Sequence, residues 1–208
     1  MPKLVKLMFI VMSIMSVAVC QANSVSEEGN MNKSVNKEFI KLLDYEIQNR
    51  AFALGSMKVA VEKSEGAEEL PFLKAYLALE LLNQQRFAPI AEQYQLDMAP
   101  RLWTRTRTQV GLLATALMPK TSLKAIHAAT LKYVPVLQKM ERLAQQKDKA
   151  FFAYVVKQEE VQATAVGLVL DGKVWLAAKM LNSFVADNQV AEPISGGEKT
   201  STTVSVSR

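Results

Sequence analysis

The sequence predicts an all-α protein, an up-down helical bundle with one or two extra helices between disordered tails. Three observations carry this expectation. Proline and glycine are scarce, 7 and 8 in 208 residues, so few positions interrupt a helix. Apolar residues recur at three- and four-residue steps through long windows. Paired strand-like segments joined by a turn signal are lacking, and so is an internal repeat.

The first 22 residues are set apart from the bundle. Lys3 and Lys6 precede the apolar run LMFIVMSIMSVAV (7–19), which is too short and too abruptly ended to span a membrane. The pattern is that of a secretory signal peptide, with cleavage expected after Ala22 and a second option after Ala18. Cys20 adds the alternative of a lipoprotein anchor, although Val19 stands where a small residue normally precedes the acylated cysteine. Cleavage after Ala22 would leave the chain without cysteine, so packing alone would hold it. It would also remove Lys3 and Lys6 and lower the formal charge by two, from +5 to +3. That balance does not point to nucleic acid.

Residues 23–34 are polar and aperiodic and read as a flexible leader. A first helix is expected over about 35–63, closed by the segment SEGAEE. A second covers about 70–95, with Pro71 in its first turn and Pro89 as a kink or break. Asp97 is a candidate N-cap for another helix, with Pro100 in its first turn and Pro119 beyond its end. The next helix runs from Thr121 or Ser122 to about 147, bent at Pro135. One more covers 149–170 and stops at Asp171-Gly172. A last amphipathic helix, 173–187, carries Trp175, Leu176, Leu181, Phe184 and Val185. Residues 188–208 are rich in Ser, Thr and Gly and read as a disordered tail.

A helix turns about 100° per residue, so each side chain can be assigned to a face. On the first helix Phe39, Ile40, Leu43, Ile47 and Leu54 define an apolar face that also contains Glu46 and Arg50. On the second, Leu79 and Leu82 share a face with Asn83 and Arg86, and Glu80 lies at its margin. Glu141 sits near the end of the face formed by Leu137 and Met140. On the helix 149–170, Glu159 and Gln162 fall among Val155, Val166 and Val169, whereas Glu160 points outward. Buried charges cost several kcal/mol unless paired, so these groups should satisfy one another.

Inward carboxylates on successive helices, in the order Glu46, Glu80-Leu-Leu-Asn83, Glu141 and Glu159-Glu160-Val161-Gln162, resemble the ferritin-like di-iron carboxylate proteins across about 35–187. The resemblance implies a four-helix core and a di-iron or manganese site on Glu46, Glu80, Glu141 and Glu159. The sequence departs from the family where its histidines belong, with Asn83 and Gln162 in their places. Amides are poor ligands for iron, and the inward Arg50 and Arg86 oppose metal binding. The expectation is a degenerate member without a cofactor. Its polar core would be Glu46, Arg50, Asn83, Arg86, Glu159 and Gln162, with arginine rather than metal meeting Glu159. The alternative is an atypical metal-binding or oxidoreductase protein.

Other features give less. Arg101, Trp103 and Arg105 in RLWTRTRTQ suggest a peripheral contact with anionic lipid or cell-wall carboxylates, or else a solvated basic turn with Trp103 in the core. His127, the only histidine, is expected as a boundary residue. The ten methionines are dispersed and read as core filling rather than a copper site. Nucleophile elbows, phosphate loops, zinc-protease helices and Cys/His clusters are all missing from the sequence. The expected function is therefore that of an exported, non-catalytic accessory or interaction module of the envelope. Its partner would be an envelope protein that the sequence does not specify.

Overall fold

The computed structural model describes residues 28–101 and 120–189. Among these residues are five α-helices: α1 (Glu28–Lys63), α2 (Leu70–Gln93), α3 (Lys120–Leu143), α4 (Lys149–Leu170) and α5 (Val174–Asp187). A 3-10 turn (Gln146–Asp148) leads into α4. The packing partners run α1–α2, α2–α5, α5–α4, α4–α3 and α3–α1, so the helices close a ring around one core. The protein is an all-α helical bundle, with no strand among the described residues. None of these helices is long and apolar enough to cross a membrane.

Boundaries follow local chemistry. Gly172 ends α4 with a φ of +77°, a left-handed conformation that glycine adopts without steric cost. The Gly172 amide donates to Val169 O and the Lys173 amide to Leu168 O, which satisfies carbonyls at the helix end. Pro71 lies in the first turn of α2, where no intrahelical N–H bond is lost. Pro89 and Pro135 lie inside α2 and α3, so neither ends its helix.

Three differences from the sequence reading concern placement. α1 begins at Glu28, so part of the expected leader is helical. Residues 97–101 do not start a helix. Instead the Asp97 carboxylate accepts the Ala99 amide at 2.7 Å, a local turn that competes with helix formation. Gln48 of α1 holds this segment from outside, donating to Ala99 O at 3.2 Å and accepting the Arg101 amide at 3.0 Å. Third, Trp175 is 75% exposed and Leu176 is 50% exposed, so α5 docks through Val174, Ala177, Ala178 and Leu181. The expected signal peptide with Cys20, most of the helix before Pro119 with Trp103 and Arg105, and the tail beyond Gln189 lie outside the described residues.

The apolar core has two compartments. One is aromatic, with Phe39, Phe87, Phe152 and Tyr154 packed beside Leu43, Ile47, Leu137 and Met140. Phe39 meets Phe152 and Tyr94 edge-on, and Phe87 meets Phe151 in the same way. The other is built of smaller aliphatic groups, with Ala75, Leu79, Ala165, Val166, Ala177 and Leu181 around Phe72. Along α1, α2 and α4 the polar residues Glu46, Arg50, Glu80, Asn83, Gln158, Glu159 and Gln162 are buried at this level of the core.

Candidate functional site: a buried arginine among three carboxylates

Arg50 is the centre of this polar layer. It follows Glu46 by one helical turn, so the two share a face, and its Nε lies 2.9 Å from Glu46 Oε1. That approach is too far off-line for a good hydrogen bond, so the pair is held by charge. From α2, Glu80 Oε1 accepts from Nη1 at 3.1 Å. From α4, Glu159 Oε2 accepts from Nη2 at 3.2 Å. The Nη1 group also reaches Gln158 Oε1 and Gln162 Oε1, each at 3.4 Å. A planar guanidinium with five donors suits this task, because its fork can address several acceptors at once.

Neutral donors complete the layer. Tyr133 of α3 donates its hydroxyl to Glu46 Oε2 at 2.7 Å. Gln162 Nε2 donates to Glu80 Oε1 at 2.7 Å, and Asn83 Nδ2 donates to Glu80 Oε2 at 3.3 Å. Asn83 Oδ1 in turn accepts the Tyr154 hydroxyl at 2.7 Å. The Gln158 Nε2 group is buried without a hydrogen-bond partner.

The electrostatics follow from burial. Glu46, Glu80 and Glu159 are at most 5% exposed. Burial pushes the Glu159 carboxyl up to about 7, opposed by Arg50 and assisted by the charges of Glu46 and Glu80. Glu46 is also raised by burial, with Arg50 and the Tyr133 hydroxyl pulling the other way. Burial works against the charge of Arg50, but its three carboxylate neighbours outweigh it and hold the guanidinium firmly protonated. Tyr76 and Tyr133 are raised by burial and then by neighbouring carboxylates, so both phenols stay neutral and Tyr133 remains a donor to Glu46.

The residues singled out in the sequence divide between three places. Glu46, Arg50, Asn83, Glu159 and Gln162 meet in the layer, and Glu80, expected at the margin, is fully inside it. Arg86 does not join them: its guanidinium lies 4.0 Å over the Tyr154 ring and donates to Asn188 O at 2.7 Å, at the end of α5. Glu141 is only half-buried, and its backbone carbonyl serves Lys149. Arg101 is exposed and pairs with Asp44 of α1. Glu160 pairs with Lys157 on the outer face of α4. His127 lines a shallow groove between α3 and α4 with Leu131, Pro135 and Ala163. Gly167 lies against its ring, where a Cβ would stand in van der Waals contact, 3.4 Å from His127 Nε2.

Sequence reasoning missed Gln158 and Tyr76, and it read Tyr133 as inward without its polar role. The phenols look like ordinary half-apolar core residues, whereas Gln158 precedes Gln162 by four residues, a spacing that already places both on one face. It also missed Asp148, buried at the start of α4, where it accepts the Tyr94 hydroxyl at 2.6 Å and Gln93 Nε2 at 2.9 Å.

The donor set does not fit the di-iron or manganese site that the resemblance implies. Arg50 stands between the carboxylates, amides replace the imidazoles, and Glu141 makes no contact with the layer. Among the described residues no group of three or more His, Cys, Asp or Glu side chains is arranged to hold a metal ion. A crevice of about 250 Å³ between α1 and α2 reaches Arg50 and Glu80, with Ile47, Leu54, Phe87 and Met98 as walls. The layer therefore borders a space water can enter.

The class these features define is an all-α bundle with an ion-paired polar layer through its core. Comparison with protein-family models, curated proteins and solved structures gave no match.

Proposed function

We propose that this chain is an exported envelope protein with a non-catalytic, accessory or interaction role, a degenerate relative of the ferritin-like bundles. The observation that supports it best is Arg50. A guanidinium sits among three inward carboxylates and neutralises part of the charge that would otherwise attract a metal. Catalytic roles lack parts as well. The one histidine lines a groove on another side of α4, and only one cysteine is present, within the expected signal segment. Export rests on the Lys3–Lys6 start and the apolar run 7–19.

Metal analysis of protein purified without chelators tests the non-catalytic reading. Only trace metal is expected, and near-stoichiometric iron or manganese would overturn it. N-terminal sequencing of protein released by osmotic shock tests export, with Asn23 expected as the first residue. Recovery of the chain in the cytosolic fraction with Met1 intact would sink that part. Cross-linking in envelope extract would then identify the partner protein.

A further inference from the structure

We propose that the polar layer takes up one proton when the chain folds in mildly acidic solution, held on the Glu159 carboxylate, so that the bundle loses stability as pH rises towards neutrality. The inference begins with charge. Three carboxylates converge on one guanidinium, and among the described residues the ion pairs to them come from Arg50 alone. The other inward arginine, Arg86, is turned towards Tyr154 and Asn188. Two negative charges would thus remain unmatched in a region where an unmatched charge is costly, and one proton halves that excess.

Space then selects the cation. Glu46 is fully buried, Glu159 does not line the crevice, and acceptors already stand at hydrogen-bonding distance around the guanidinium; Glu80 alone of the three lines the crevice, and both of its oxygens already accept hydrogen bonds. A metal ion or an organic cation entering from the crevice would have to displace the donors that Glu80 already has, Arg50, Asn83 and Gln162. A proton needs no volume: it comes from solvent water, forms one O–H bond on a carboxylate, and breaks nothing in the protein.

Geometry also selects the carboxylate. Glu46 receives the Tyr133 hydroxyl at 2.7 Å, and Glu80 receives both Gln162 and Asn83. Glu159 has the longest of the three ion pairs, 3.2 Å, and the Gln158 amide as its neutral neighbour. Its ionised form is the least well served. The groups facing it are Glu46 and Arg50 from α1, Tyr76 and Glu80 from α2, and Tyr133 from α3. From its own helix come Gln158 and Gln162, while α5 turns only apolar Val174, Ala177, Ala178 and Leu181 inward. The raised value of about 7 for Glu159 agrees with this assignment.

The direction of the effect is fixed by linkage. A carboxyl raised in the folded state binds its proton more tightly there than in the unfolded chain. Its contribution is fully present below the ordinary carboxylate range of 4.5 and is lost as pH climbs to about 7. Between those values the folding constant should fall by up to tenfold per pH unit and then level off.

Urea titration of the full chain across that range, beside Glu159→Gln, is the test. The glutamine keeps the shape and the acceptor for Arg50 but carries no charge. It should flatten the pH profile and be at least as stable as the native protein at about pH 8. A profile unchanged by the substitution, or a variant weaker than native at that pH, would overturn the proposal. Should Glu159→Gln fail to fold, the Glu159 carboxyl carbon followed by NMR in the native chain decides the matter. An inflection near neutrality is expected, and one in the ordinary carboxylate range overturns it. Repeating the native titration after dialysis against chelator should change nothing; a shifted profile would mean that a metal ion, not a proton, offsets the excess charge of the layer.

Discussion

Asp148 and Glu159 lie about three turns apart on or beside the same helix, and both bury a carboxylate by different means. Asp148 stands at the start of α4, where the positive end of the helix dipole favours a negative group. Two neutral donors, the Tyr94 hydroxyl and the Gln93 amide, complete its needs. Glu159 lies mid-helix, beyond the reach of the dipole, and shares one guanidinium with two other carboxylates. A single buried charge can be served by local dipoles and hydrogen bonds. Three together need a counter-charge, and one arginine does not balance them.

The largest break in this comparison comes from Arg50→Met. It leaves three carboxylates facing each other and should cost about 3–5 kcal/mol near neutral pH. Urea unfolding measures it, and the loss should shrink towards pH 5 as carboxylates protonate. Removing Asp148 is the matching test at the other site. Asp148→Ala strands the Tyr94 hydroxyl and Gln93 and should cost roughly 1–3 kcal/mol. Asp148→Asn sharpens the point, since it keeps an acceptor but removes the charge. Burial, the hydrogen bond to Asp148 and its charge push the Tyr94 phenol up to about 12. An ultraviolet titration should therefore move downward in that variant, by less than the whole shift because burial remains.

Arg86→Ala should be milder, about 1–2 kcal/mol, because it loses one ring contact and one bond to Asn188 O. That outcome would separate the two inward arginines by their surroundings alone. The smallest effect is expected for Glu141→Gln, within about 0.5 kcal/mol, since its side chain stands outside the layer. A loss comparable to that of Arg50→Met would show that Glu141 shares in the polar layer after all.

Much of the bundle was legible because apolar residues recur at helical spacing, most sharply in α3 and α5. The stop at Asp171-Gly172 was readable for the same kind of reason, since left-handed glycine has a local signature. Glu46, Arg50, Glu159 and Gln162 were readable as inward because they repeat with Leu43, Ile47 and Val155 along their helices. Partners were harder. Arg86 has the same periodicity as Asn83, yet its long side chain reaches the end of α5 and an aromatic face. Such reach depends on where a neighbouring helix ends, which periodicity does not contain. Asp97 failed as a helix start for a related reason: its side chain closes a turn on itself, and Gln48, far away in sequence, rewards that choice.

The position of Arg50 also sets how the helices align lengthwise. The apolar stripes on α1, α2 and α4 repeat every turn, so sliding one helix by a turn would still bring aliphatic groups against aliphatic groups. The guanidinium permits no such freedom. A slip of one turn moves it about 5.4 Å, well past hydrogen-bonding distance from Glu80 and Glu159. The charged layer thus works as a vernier mark, and three helices can read only one setting.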